Sequence, residues 1–81
     1  MFTVYSKPAC PFCDQSKALL EKCGANFEIV HLDVGQKKEE NAKYISRNDL
    51  ISQIPTAKSM PQILHNGTPI GGFNELKKLL A

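Results

Sequence analysis

Hydrophobic residues in this chain fall in short runs separated by Gly, Pro and Asn, and the period of each run predicts an element. Phe2 to Tyr5 is β-prone and mostly apolar, which predicts a short buried strand. Ser6-Lys7-Pro8-Ala9 reads as a loop. From Pro11 the period lengthens to a helical one. Ser16, Leu19, Leu20 and Cys23 share one face, Asp14, Lys17, Glu21 and Lys22 lie around the other, and Gly24 is the stop signal. Phe27 to Val34 predicts a second strand, broken by Gly35-Gln36. Pairing it parallel to the first strand would complete a βαβ crossover.

From about Lys38 to Ile54 the apolar positions Ala42, Ile45, Leu50, Ile51 and Ile54 predict helix. Their spacing slips near Arg47-Asn48, so a kink or two short helices are expected, with Asn48 available to cap the second. Pro55 ends that segment. Gln62 to His65 and Thr68 to Ile70 flank Asn66-Gly67, the strongest short signal for a tight hairpin. After Gly71-Gly72, Phe73 to Leu80 predicts a closing amphipathic helix with Leu76, Leu79 and Leu80 inward. The order is β-α-β-α-β-β-α, an α/β fold with no linker or repeat, in one domain over residues 1–81.

Composition narrows the function. The net charge of +2 is too small to point to nucleic acid, and Lys37-Lys38 is answered at once by Glu39-Glu40, a solvated helix start. No apolar run approaches the length a bilayer requires. Met1 to Tyr5 is too short, and too soon interrupted by Lys7-Pro8, for a signal peptide. Three cysteines, two close together and one left over, do not make a secreted disulfide framework, so a reducing compartment, the cytoplasm, is expected.

Chemistry concentrates in three stretches. Cys10-Pro11-Phe12-Cys13 opens the first helix, where unpaired N–H groups and a partial positive charge favour a thiolate at Cys10. Pro11 suits the first turn because its missing N–H has no partner there anyway. The pair has three readings: half of a zinc site, a structural disulfide, or a redox dithiol. Zinc needs two further ligands, and only Cys23, His31 and His65 remain; Cys23, late on an amphipathic helix, reads as a small core residue. A structural disulfide fits a reducing compartment poorly. The redox dithiol is favoured. Ser59-Met60-Pro61-Gln62 is either an ordinary strand entry or a cis Met60–Pro61 peptide exposing the Met60 backbone to an incoming thiol peptide, and local sequence favours the former because X-Pro bonds are mostly trans. Gly71-Gly72-Phe73-Asn74 is either a plain turn and helix start or an anion site at the helix N-terminus.

Taken together, the three stretches resemble those of the glutaredoxins over essentially the whole chain. Lys7-Pro8-Ala9-Cys10-Pro11-Phe12-Cys13 is similar to that family's Lys-x-x-Cys-Pro-Tyr-Cys, with Phe12 in place of tyrosine. Ser59-Met60-Pro61 resembles its Thr-Val-Pro, whose proline is cis, which reverses the local expectation. Gly71-Gly72-Phe73-Asn74-Glu75-Leu76 resembles its Gly-Gly-x-Asp-Asp-Leu. The compact length, Phe12, and the Met-Pro-Gln and Gly-Gly-Phe wording are most like glutaredoxins encoded by bacteriophages, which would put the protein in the host cytoplasm.

The resemblance implies a thioredoxin-like fold, with a four-stranded mixed sheet flanked by helices, and a glutathione-dependent thiol–disulfide oxidoreductase. Cys10 would attack a disulfide and Cys13 release the product. Lys7, Lys58 and Arg47 or Asn48 would hold the glycine carboxylate of glutathione, and Met60, before Pro61, would pair with its cysteine. Phe12 would border the tripeptide. Gly72, Phe73 and Asn74 would receive the γ-glutamyl carboxylate, with the uncharged Asn74 weakening the hold on the α-amino group. The implied cofactor is glutathione, as reductant, with no metal. The implied partners are disulfide-containing proteins, ribonucleotide reductase among them, acting on a monomer. Two alternatives stay open: reduction by thioredoxin reductase, and carriage of an iron–sulfur cluster, against which Pro11 and Cys13 both argue.

Overall fold

In a computed structural model describing residues 1–81, the chain runs β1 (Phe2–Ser6), α1 (Pro11–Lys22), β2 (Phe27–Leu32), β3 (Lys43–Ile45), α2 (Arg47–Gln53), β4 (Gln62–His65), β5 (Thr68–Gly71) and α3 (Phe73–Leu80). One sheet holds all five strands in the order β3-β2-β1-β4-β5. β2 pairs parallel to β1, with Phe27 opposite Phe2 and Val30 opposite Tyr5, so α1 is the crossover of a βαβ unit. β4 returns antiparallel on the other side of β1, with Ile63 opposite Val4. β1 is therefore central, and its side chains alternate between two cores. Phe2 and Val4 pack with Leu20, Ile63 and Leu76 on the side of α1 and α3, and Tyr5 packs with Leu32, Leu50 and Ile54 on the side of α2. The result is a three-layer α/β fold of the thioredoxin-like kind.

Local chemistry explains the ends. At the close of α1 the N–H of Gly24 bonds the carbonyl of Glu21, and that of Ala25 the carbonyl of Leu20, a Schellman arrangement that needs the left-handed backbone Gly24 supplies (φ +68°). Asn66 and Gly67 both have positive φ, as a primed two-residue hairpin demands. No helix is long and apolar enough to cross a membrane.

Four expectations are corrected. The sheet has five strands, not four, because Lys43–Ile45 adds to β2 in parallel register instead of continuing a helix from Lys38. Tyr44 and Ile45 favour strand geometry. Just upstream, Asn41 turns through positive φ (+68°), which a right-handed helix forbids. The helix that remains begins at Arg47, capped not by Asn48 but by Ser46, whose Oγ accepts the amide of Asp49 at 3.1 Å. Cys23 is exposed rather than in the core, since α1 stops at Lys22 and the Gly24 turn carries Cys23 outward. Leu76 is buried in α3 and Leu80 packs at the edge of the core, but Leu79 is 48% exposed, because it lies on the opposite side of Leu76 from Leu80 around the helix and turns toward solvent.

Candidate active site

Cys10 is the N-cap of α1, and its position follows from a loop that Ala9 turns with a positive φ of +54°. It forms a disulfide with Cys13, their Cα atoms 5.2 Å apart. The backbone N–H of Cys13 donates to Cys10 Sγ at 3.2 Å, one of the orphan amides of the first helical turn. When the disulfide opens, that amide and the helix N-terminus both stabilise negative charge on this sulfur. Cys13 is fully buried and Cys10 almost so, at 6% exposure, so an incoming disulfide meets Cys10 first. Pro11 takes the first helical position without leaving an N–H unbonded.

Opposite the dithiol lies the Met60–Pro61 peptide, which is cis. The Met60 carbonyl oxygen is 3.8 Å from Cys10 Sγ, and Pro61 is buried at the start of β4. Met60 and Ser59 form a shared rim between two hollows. The first, of about 150 Å³, carries Lys7, Arg47 and Lys58 over an apolar floor that includes Leu32 and Leu50. No acidic side chain lines it. The second, of about 330 Å³, runs from Phe12 past Pro61 to Gly72, Phe73 and Asn74 at the start of α3. The rings of Phe12 and Phe73 stand 5.8 Å apart between the N-termini of α1 and α3, with Lys77 Nζ 5.5 Å from the Phe73 ring centre.

The fold thus collects every candidate residue of the three stretches at one end of the molecule, on two sides of Cys10. Arg47 lines the first hollow and Asn48 does not. Several lining residues were not among the candidates, and two of them bear on the chemistry. Ile51, 43% exposed, borders the basic hollow one turn after Arg47. Glu75 borders the other hollow and its Oε1 accepts the Gly72 N–H at 2.9 Å, so that amide is already engaged. The spacing Gly72-x-x-Glu75 is that of a capping box and was the available signal. His31 and His65 lie apart from the dithiol, against the rings of Tyr44 and Phe2 respectively.

A sequence profile of the glutaredoxin family matches residues 2–70. Glutaredoxin 3 of Escherichia coli is 32% identical over 77 residues, covering 94% of this chain and 81% of its own length. Glutaredoxin-C6 of Oryza sativa subsp. japonica is 32% identical over 72 residues, 89% of this chain. Some relatives are much longer: the chain spans 59% of that rice protein and 29% of the hybrid peroxiredoxin hyPrx5 of Haemophilus influenzae. Among solved structures, the dithiolic glutaredoxin 2-C-Grx1 of Trypanosoma brucei brucei superposes with a TM-score of 0.70 at 27% identity, covering 96% of this chain and 74% of its own. A buckwheat glutaredoxin in complex with glutathione gives 0.70 at 23% identity, covering 95% and 64%.

Proposed function

Because the chain belongs to the glutaredoxin family, whose members are thiol–disulfide oxidoreductases, we propose that its Cys10–Cys13 pair reduces protein disulfides and glutathione mixed disulfides at the expense of glutathione. The observation that carries this reading is the pair of unlike hollows meeting at Met60 beside Cys10, one basic and one ending on a helix N-terminus. Glutathione has a carboxylate at each end and its thiol between them, and the two hollows match that layout. Lys7, Arg47 and Lys58 take the glycine carboxylate. The Met60 backbone pairs with the cysteine, and the amides of Phe73 and Asn74 take the γ-glutamyl carboxylate. Phe12 and Pro61 cover the apolar parts between. The Gly72 amide, held by Glu75, is a weaker contributor than its position in the motif suggests.

The chemistry is two thiolate exchanges. Cys10 thiolate attacks the glutathione sulfur of a mixed disulfide, forming Cys10–S–S–glutathione and releasing the substrate as a thiolate. A second glutathione thiolate then attacks that glutathionyl sulfur, giving oxidised glutathione and restoring Cys10. With a protein disulfide, Cys10 bonds one substrate sulfur. Cys13 then attacks Cys10, releasing the reduced protein and closing the Cys10–Cys13 disulfide, with two electrons passed to substrate. Two glutathiones reopen it. Ribonucleotide reductase is the proposed protein substrate and the cytoplasm the proposed compartment, both on the strength of the family alone.

The test couples the protein to glutathione reductase and NADPH with a glutathione mixed disulfide as substrate. Turnover that disappears in Cys10→Ser and persists in Cys13→Ser is the expected result. No turnover with glutathione, but rapid reduction by thioredoxin reductase, would move the protein to the thioredoxin system.

A further inference from the structure

Three cations face one hollow, and glutathione brings that hollow one carboxylate. The ion pairs of the molecule use Lys17, Lys38 and Lys43, and none of them involves Lys7, Arg47 or Lys58. Those three come from separate parts of the chain: the loop before Cys10, the first turn of α2, and the segment before Met60. No carboxylate lines the hollow to neutralise them, although the chain as a whole is nearly balanced at +2. One bound carboxylate leaves two positive charges over in a hollow whose rim residue, Met60, has its carbonyl oxygen 3.8 Å from Cys10 Sγ, although Lys7 also borders a separate hollow lined by Asp14 and Glu39. At the rim Ile51 is 43% exposed and offers apolar surface to the methylenes of a long side chain.

Resting on the glutathione reading above, we propose that this hollow selects protein substrates, favouring disulfides in which two acidic residues, Glu above Asp, follow the attacked cysteine. The direction comes from the placement of glutathione. Its glycine lies C-terminal to its cysteine and enters the basic hollow, so in a peptide laid along Met60 the residues after the cysteine enter there. A protein segment carries no terminal carboxylate at that point, so side-chain carboxylates must supply the charge. Residues before the cysteine run toward Phe12 and α3, where the helix N-terminus is the one attraction for an acid, no cation lines the hollow and Glu75 opposes it, so acidic groups gain less there than in the basic hollow. The reaction is unchanged: Cys10 thiolate bonds the peptide sulfur and the partner thiol leaves as thiolate. Selection acts on encounter and orientation.

The experiment uses blocked hexapeptides with one central cysteine, each as a mixed disulfide with thionitrobenzoate, whose release is coloured. One peptide has Gly-Glu-Glu after the cysteine, one has Gly-Asp-Asp after it, one has Glu-Glu before it, and one has Gly-Lys-Lys after it. Each rate with the reduced protein is divided by the rate of the same peptide with mercaptoethanol, which removes differences in intrinsic reactivity. At low salt the Glu-after peptide should outrun the Lys-after peptide by about tenfold or more, with the Glu-before peptide between them. High salt should compress the difference, and Arg47→Gln with Lys58→Gln should abolish it. Equal corrected rates, or a preference for acids before the cysteine, in a preparation that turns over the glutathione mixed disulfide overturn this inference and leave the glutathione reading intact. An intact preference without glutathione turnover overturns the glutathione reading instead.

Discussion

Glu75 Oε1 accepts the backbone N–H of Gly72 at 2.9 Å, tying the entrance of α3 across three residues. Gly72 has no side chain to return the bond, so half of a capping box holds this helix start. Glu75→Ala should therefore cost about 1 kcal/mol, and Glu75→Gln, which keeps an acceptor, clearly less. In a chain of this size that corresponds to a fall in Tm of roughly 4–8 °C for the alanine variant by calorimetry. Equal loss in the two variants would show that the carboxylate charge, not the hydrogen bond, holds the turn.

The same contact makes Gly71 irreplaceable. Its φ is +115°, outside the left-handed helical well, and a Cβ there would lie 2.6 Å from Glu75 Oε1. Glu75 can swing away only by giving up Gly72. Gly71→Ala should cost about 2–3 kcal/mol, against about 1 kcal/mol for Gly24→Ala, whose φ of +68° is tolerable and whose surroundings are open. Urea melts of the two variants check the order. Adding Glu75→Ala to Gly71→Ala should recover little, because the backbone strain remains.

Asp33 and Lys38 lie 2.8 Å apart at the two ends of the turn that follows β2. The hydrogen bond from Lys38, and then that from the Gly35 amide, hold the Asp33 carboxyl below its ordinary range, while Asp33 holds Lys38 above its own. A depressed carboxyl contributes stability that is present above the unfolded value and is lost as pH falls through the folded one. Both groups are open to solvent, so the pair is weak and salt-sensitive. Lys38→Gln should move the Asp33 carboxyl titration upward by NMR, and added salt should shift the parent protein in the same direction.

How far the sequence discloses this molecule depends on where the decisive interaction lies. The hairpin was legible because Asn66-Gly67 carries its own backbone geometry, and the dithiol because Cys10 and Cys13 sit at a helix start that Pro11 marks. β3 was not, because three residues acquire strand geometry only by pairing with Val30 to Leu32, and Ala42 with Ile45, like Leu50 with Ile54, falls at helical spacing, so that the slip between the two pairs reads as a kink. The misplaced cap had a local signal, Ser46 three residues before Asp49, hidden by the assumption that a helix already ran through it. The clustering of Lys7, Arg47 and Lys58 was expected through the family resemblance alone, because no local pattern or spacing links the three positions. It arises where β1, α2 and the Met60 segment converge.

Tyr5 gives the molecule a pH limit on its alkaline side. Its ring is buried against Leu32, Leu50 and Ile54, and its hydroxyl donates to Gln53 Oε1 at 2.6 Å, tying the central strand to the end of α2. Burial, and then the negative charge of Glu28, raise its pKa above the usual 10.0. A raised folded value favours the protonated phenol, so this contribution is complete below the unfolded pKa. It is lost as pH climbs from about 10 through the folded value, because the unfolded chain releases its proton first. Tyr5→Phe should cost about 1 kcal/mol at neutral pH through the lost hydrogen bond to Gln53. Above pH 10 the stabilities of the parent and the variant should converge, since the variant has no proton to hold at this position. Denaturant melts from about pH 8 to 11 measure both curves. Parallel curves over that range would mean that the Tyr5 phenol ionises in the folded protein as it does in the unfolded chain.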